Sequence, residues 1–580
     1  MNPQTDTLLL KNMFFVFTEK KIFVVPRAEY ENIQSEDGFL SVKRSSLSAE
    51  TDSDERVLCI LCHEETKPED MVSPLCRAMH FVICEGCVQD IKERKNRAVV
   101  ECPFCREEAS KKEYHAEIME KLFSLRTQQT LLGLEVRPDM EVESVAELAL
   151  NSKVIFRNIS ISDRLFLLLI SRTRMDVRGG ISLFEHRSTQ MCCRTGLTNE
   201  TNDQIDISTN GYNKEKIENI KENIKTIKKR SIRIESRNIH AEEKGVCVLL
   251  KHCTVDAYSY SLGITEKKYI EEILKEKNNS LWAGKVKDLQ LRGYAVNLLP
   301  KLVENQMQRI HLSAEDSCQI STILWREDNS IWAGKVTKLD LGEYATELLS
   351  KLRFYYENVP EGLRLYAEKQ ESMGWILRKK NRSIWVGKVK KLFLDGYAVE
   401  ILPKLRFHEE IEMEEVHLSA HGAGNVSRIL DAKDRSVWVG KVKKLFIVGY
   451  AVEILPKLRF HEEIEMEEVH LSVYGSAQIN KILEIEDRSI WVGRVKKLRL
   501  YDHALQILPK LRIHGGDRIE NLLKTHSPEK IAEILGARRN NNRTKENEKE
   551  LIYIFGNTFI EVFEFKFRSR VSRKRRSDGI

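Results

Sequence analysis

Tryptophan recurs at positions 282, 332, 385, 438 and 491, at intervals of 50, 53, 53 and 53 residues. Each lies in a variant of Ile-Trp-Val-Gly-Lys-Val, and each is followed by a variant of Tyr-Ala-Val-Glu-Ile-Leu-Pro-Lys-Leu. A unit of this size cannot bury its own apolar face, so neighbouring units must stack and share one continuous core. The unit divides again. Its first half carries Val389-x-x-Leu392-x-Leu394 and its second Met413-x-x-Val416-x-Leu418, recurring as Val442, Leu445, Ile447 and as Met466, Val469, Leu471. Residues at period two such as Leu392 and Leu394 predict a short strand with one face in the core. Ala398, Val399, Ile401, Leu402 and Leu405 follow at helical spacing on the opposite side.

Core positions 392 to 416 and 416 to 445 are 24 and 29 residues apart, and both lengths fall in the range of leucine-rich repeats. The half-units resemble that family, which implies an α/β solenoid with parallel strands. One departure stands out. Where the family holds a buried Asn ladder, this chain has Tyr294, Tyr344, Tyr397, Tyr450 and His503 in one half-type, and His421 and Tyr474 in the other. Just before the first core leucine the chain alternates Lys390-Lys391, Glu414-Glu415, Lys443-Lys444, Glu467-Glu468 and Lys496-Lys497. Equivalent positions on neighbouring strands stack about 4.8 Å apart, so these charges form an ion-pair ladder that controls register and neutralises the face. The central outward position of successive strands reads Gln290, His311, Asp340, Arg364, Phe393, His417, Phe446, His470 and Arg499. Aromatic and Arg side chains are favoured at interfaces, so Phe393, His417, Phe446 and His470 are expected to bind a protein partner. The periodic Trp is expected to pack in the core or on the convex face.

Nearer the N-terminus stand Cys59, Cys62, Cys76, His80, Cys84, Cys87, Cys102 and Cys105. Zinc takes four thiolate or imidazole ligands in a tetrahedron, and a Cys-x-x-Cys turn supplies two at once. Three such turns plus Cys76 and His80 give eight ligands, enough for two sites. His63 is the rival imidazole, poorly placed beside Cys62. Pairing can be sequential, as in a zinc ribbon, or interleaved. Order and spacing resemble the RING finger, which implies a cross-brace with one zinc on Cys59, Cys62, Cys84 and Cys87 and another on Cys76, His80, Cys102 and Cys105. The resemblance further implies an apolar groove of Leu61, Ile91 and Pro103 for a ubiquitin-conjugating enzyme. Arg106, after the last Cys, would hold the enzyme and its donor ubiquitin together. Many active members carry Trp where this chain has Ile91. A ligase of this kind has no nucleophile; it acts by positioning the thioester.

The expected layout is short N-terminal strands (1–36), a flexible linker rich in Ser, Glu and Asp (37–55), the zinc finger (56–107), a helix (108–127) and degenerate repeats (128–278). Clear repeats (279–515), a C-terminal cap (516–567) and a basic tail (568–580) follow. In the first segment the apolar stretch Leu8–Val25 is broken by Lys11, Glu19, Lys20 and Lys21, so two short strands are expected there and no membrane span. The helix places Tyr114, Ile118, Leu122 and Leu125 on one face. In the degenerate region Lys153–Phe156, Ser231–Ile234 and Val246–Leu250 read as strands and 213–228 as a helix, whereas the cap opens with a helix over 516–536 and continues with strands over 551–567. A net charge of +7 over 94 basic and 87 acidic residues gives no global case for nucleic acid. Five cysteines outside the zinc pattern, Cys192, Cys193, Cys247, Cys253 and Cys318, lack disulfide-like spacing and point to a reducing compartment, cytoplasmic or nuclear. The tail's Arg573-Lys574-Arg575-Arg576 matches a nuclear localisation signal. The favoured function is a RING-type ubiquitin-protein ligase whose repeats recruit a protein substrate. A non-enzymatic zinc-binding scaffold is the alternative, and nucleic-acid binding through the tail a third reading.

Overall fold

The computed structural model describes residues 6–35, 38–39, 42–46, 56–95, 101–106, 115–197, 202–303, 307–334, 336–354, 360–408, 411–461, 465–512, 518–523, 538–540, 550–555 and 558–564. It is a mixed α/β structure, dominated by parallel strands, in two units. One comprises Met1–Ile273 with Leu281–Val286, the other Leu274–Ser280 with Lys287–Ile580. No helix among the described residues is long and apolar enough to cross a membrane.

The first unit begins with three antiparallel strands rather than the expected two: Asp6–Leu10, Met13–Phe17 and Ile22–Pro26. Lys11 and Asn12 make the first turn, so a charge that interrupts the apolar run marks a hairpin. The third strand pairs antiparallel with the start of Ala146–Ser162. Parallel neighbours of that long strand are Gln129–Glu135 and Arg174–Phe184, and Ile232–Glu242 and Cys253–Ile264 extend the set. Residues 153–156 and 232–234 thus lie in strands, and a helix spans Lys214–Ile224.

Val246–Leu250, read from sequence as a strand, is part of the Lys244–His252 helix. A short apolar run bounded by no turn signal fits a buried helix as well as a strand. Gly245 shows what decides it: a Cβ there would stand 1.7 Å from the Ile207 carbonyl oxygen, so the helix backbone lies directly against the neighbouring strand. The helix His115–Arg126 buries Ile118, Met119, Leu122 and Phe123 against Val16, Phe23, Val25 and Tyr30. Leu125, expected on that face, is exposed instead. Within the segment expected to be a linker, Val42–Lys43 pairs with Met71–Ser73, and Lys43 bonds Asp70 and Glu85 at 2.9 and 3.1 Å.

In the second unit the strands Arg309–Ala314, Lys338–Glu343, Gly362–Ala367, Lys391–Gly396, Glu412–Ala420, Val437–Gly449, Glu468–Val473 and Lys497–Asp502 run parallel, one half-unit each. Inward residues such as Leu392, Leu394, Val416 and Leu418 are almost wholly buried. The helical spacing after the strand of each first half-unit resolves as a 3₁₀ helix, for example Tyr397–Lys404 and Tyr450–Lys457. Three residues per turn align Ala398 with Ile401 and Val399 with Leu402, and Pro403 or Pro456 is the last residue but one of the run. Gly396 precedes its helix at φ +63°, where a Cβ would meet the Ala367 carbonyl oxygen at 2.2 Å.

A buried polar ladder does exist, three residues beyond the Tyr positions. Glu347 accepts the N–H groups of Trp375 and Ile376 at 2.8 and 2.6 Å. Glu400 accepts from Arg428 N–H at 2.8 Å, Glu453 from Lys481 N–H at 3.0 Å, and Asn297 donates to the Gln319 carbonyl. Each ties one half-unit to the next by satisfying backbone groups that stacking would otherwise bury unpaired.

The periodic tryptophans are not core residues. Their neighbours Ile331, Ile384, Val437 and Ile490 are buried, while Trp332, Trp385, Trp438 and Trp491 are half-exposed on short parallel strand pairs. The guanidinium of Arg353, Arg406, Arg459 or Arg512 lies over each ring at 4.8–5.7 Å. Of the segment 516–536, expected as a helix, the described part is the strand Arg518–Leu523, paired with Lys497–Asp502; the rest lies outside the described residues. Glu550–Phe555 and Thr558–Glu564 are antiparallel strands. The basic tail from 568 onward lies outside the described residues.

Candidate metal centre

Ligand pairs are carried by tight local structure. In the first, the N–H of His63 donates to the Cys59 carbonyl at 2.9 Å; in the last, the N–H of Arg106 donates to the Cys102 carbonyl at 2.7 Å. His63 and Arg106 take left-handed backbone, φ 59° and 58°, so the residue after each of these two Cys-x-x-Cys turns reverses the chain. Met79, between Cys76 and His80, does the same at φ 57°. Met71–Ser73 and Ile83–Cys84 form a hairpin that presents Cys84, and the helix Glu85–Lys95 begins on it and presents Cys87. Val72, Ile83, Val88 and Cys59 form the small core beneath, while Leu75 and Met79 anchor the module in the cluster around Phe123.

Two groups of four ligand atoms result, each with its members within 4.8 Å of one another: Cys59, Cys62, Cys84 and Cys87, and Cys76, His80, Cys102 and Cys105. The pairing is interleaved. Sulfur atoms of Cys59 and Cys87, and of Cys62 and Cys84, stand 3.8 Å apart. A tetrahedron with Zn–S bonds of about 2.3 Å has an S···S edge of about 3.8 Å, so the first group has the size zinc requires. In the second group His80 Nδ1 lies 3.3 Å from Cys76 Sγ and 3.9 Å from Cys102 Sγ, bracketing the edge of about 3.6 Å for a sulfur–nitrogen pair. Backbone N–H groups aim at the thiols: Cys84 N–H at Cys59 Sγ, 3.3 Å, and His80 N–H at Cys76 Sγ, 3.2 Å. Burial pushes the Cys59 thiol up, but backbone donors from Cys62, Cys84 and Leu61 outweigh it and lower it, whereas burial, with the neighbouring thiols, raises Cys84, Cys87 and Cys76, so the metal's own charge must hold those three as thiolates. Thiolate is the form that binds metal. The residues present fit two zinc ions.

Of the expected groove residues, Leu61 is exposed and sits beside exposed Ile60 in the first knuckle. Ile91 is half-buried against the module's core, and Pro103 is half-buried next to Phe104, which is 63% exposed. Phe104 packs on the His80 ring at 4.6 Å. Sequence reasoning passed over Phe104; its place in the Cys102–Cys105 turn is the signal that could have found it. Arg106 is exposed, outside both tetrahedra.

In the second unit the outward residues Gln290 through Arg499 stand directly opposite one another, strand by strand, as one column. Its aromatic part is stacked on itself. Ring centroids are 4.4 Å apart for Phe393–His417, 4.2 Å for His417–Phe446 and 5.3 Å for Phe446–His470. All four residues are half-buried. Burial holds the His417 imidazole below its usual value and, with Arg499 nearby, brings His470 to about 4, so these two imidazoles are uncharged near pH 7. The flanking charges alternate in register, with Lys391 opposite Glu415, Glu415 opposite Lys444 and Lys444 opposite Glu468. Lys391–Glu415 and Lys443–Glu412 form ion pairs of 3.4 and 3.3 Å.

Comparison with protein-family models, with curated proteins and with solved structures finds no match to this chain.

Proposed function

We propose that the chain is a RING-type ubiquitin-protein ligase, its zinc module positioning a ubiquitin-charged conjugating enzyme while a leucine-rich-like solenoid recruits a protein substrate in the cytoplasm or nucleus. The observation that carries this reading is the interleaved pairing, first ligand pair with third and second with fourth. Sequential folding of zinc knuckles does not produce that order. Zinc is structural here: it fixes the two knuckles and the helix between them without touching a reacting atom. Leu61, Ile91 and Pro103, joined by Phe104, offer the conjugating enzyme apolar contacts on a polar module. The guanidinium of Arg106, held by left-handed backbone just after Cys105, is a fork that can bond both enzyme and ubiquitin carbonyls. Restricting the thioester to a reactive pose lowers the entropic part of the barrier to lysine attack. Phe393, His417, Phe446 and His470 are the proposed substrate contacts.

An autoubiquitination assay across a panel of conjugating enzymes tests the reading. Wild type should form chains with at least one enzyme, and Arg106→Ala should lose chain formation while keeping its zinc. Full activity of Arg106→Ala removes the role assigned to that residue. Inactivity of wild type with every enzyme favours the scaffold.

A further inference from the structure

Among the exposed apolar side chains of the second unit, two belong together. Trp325 is 76% exposed and Trp375 is 48% exposed, and their rings meet edge to face at 5.6 Å and 72°. They lie on successive repeats, with the half-unit of Lys338–Glu343 between them, each at one end of a short helical segment. The repeats make this position informative. Where Trp325 stands, sister half-units carry Lys275, Arg378, Asp431 and Glu484; where Trp375 stands, they carry Glu272, Thr322, Arg428 and Lys481. A solvated polar ridge is therefore interrupted by two tryptophans at one place, and neither fills the core.

Charge is concentrated at the same place. From Trp375 to Trp385 the chain has Arg378, Lys379, Lys380 and Arg382 and no acidic residue, whereas the sister segments 428–438 and 481–491 have two and three acidic residues. Arg378 lies over the Trp375 ring at 5.5 Å. Lys380 and Arg382 are exposed, and Arg382 takes left-handed backbone, φ 57°. Lys379 and Lys380 also line a cavity of about 240 Å³ with Asn329, Ser383, Trp385 and Asp328, whose carboxylate pairs with Lys379 and Lys351.

We infer that this ridge binds single-stranded nucleic acid, with bases stacking on Trp325 and Trp375 and phosphates on the 378–382 cations. Two exposed indole rings beside a run of four cations, of which Lys379 is paired with Asp328, suit planar bases on an anionic backbone better than an apolar protein anchor. The site lies on a different part of the repeat from the aromatic column and does not depend on the ligase reading. The overall charge balance conceals it, because the surplus is local.

The test is fluorescence anisotropy of a fluorescein-labelled twelve-nucleotide oligo(U), and of oligo(dT), with the zinc-loaded full chain. Both should bind, since neither stacking nor phosphate contact needs the 2′-hydroxyl. Four engaged cations give a salt slope of about −2.8, which is about fifty-fold weaker binding at 200 than at 50 mM salt. Trp325→Asp with Trp375→Lys installs residues that sister repeats carry at these positions, so an unchanged melting temperature is expected. Affinity should fall about tenfold or more. Arg378→Asp with Lys380→Glu, again sister-repeat residues, should weaken binding and flatten the salt slope. If the tryptophan variant binds as wild type does, as the basic tail alone would allow, the inference is overturned. Displacement of oligo(U) by polyglutamate as effectively as by unlabelled oligo(U) also overturns it, and points to an acidic protein segment.

Discussion

Glu347 is buried between half-units with both carboxylate oxygens accepting backbone N–H bonds. Burial is the dominant influence and pushes its carboxyl up from 4.5 to about 7. A carboxyl raised on folding keeps its proton in the native chain to higher pH than in the unfolded chain. Between about pH 4.5 and 7 the native state thus binds more protons, and stability falls as pH rises through that window. A rise from 4.5 to about 7 converts by linkage to about 3 kcal/mol, fully present below pH 4.5 and lost above pH 7. Glu347→Gln has no such titration. Denaturant unfolding followed by tryptophan fluorescence, with Trp375 adjoining the site, should show the wild type losing about 3 kcal/mol relative to the variant from pH 4.5 to 7. Taking the difference cancels other titrating groups, the zinc ligands included. Parallel stability curves for the two proteins would mean that the two N–H bonds outweigh burial and that Glu347 is already ionised in the native state at pH 5.

Two further outcomes follow from the second unit. Reversing Lys443-Lys444 to Glu sets like charges against Glu412, Glu415 and Glu468 on both neighbouring strands; thermal melting should drop by a few degrees, since exposed pairs are each worth about 0–1 kcal/mol. Replacing Phe393, Phe446 and His470 with Ala should weaken substrate capture in a pull-down and also lower the unfolding midpoint in urea, because each stacked pair contributes about 0.5–1.5 kcal/mol.

Much of this arrangement was legible because spacing alone specifies it. Eight ligands in order mark the turns that can hold zinc, sequentially or interleaved, and the RING resemblance implied the interleaved pairing; a strict two-residue period fixes which side chains share a face, so the outward column and the Lys–Glu ladder could be placed in register. Other features depend on contacts that sequence does not display. Val246–Leu250 is helical because Gly245 lets the backbone approach Ile207. The periodic tryptophans lie outside the core because the preceding Ile or Val fills it and an Arg some twenty residues on covers the ring. Tyr397 and its equivalents stand where the family has its Asn ladder, and the polar ladder lies elsewhere because the 3₁₀ turn carries Glu400 to the backbone N–H groups of the next half-unit. Trp325 and Trp375 carry no periodic signal, because neither obeys the repeat.

Zinc content of the purified chain and two double variants tests the interleaved centre most directly. Wild type should hold two ions per chain. Cys59→Ser with Cys84→Ser strikes one tetrahedron twice and should keep one ion, whereas Cys59→Ser with Cys76→Ser strikes both and should keep none. Fewer than two ions in wild type, or the reverse order of the two variants, would contradict the account.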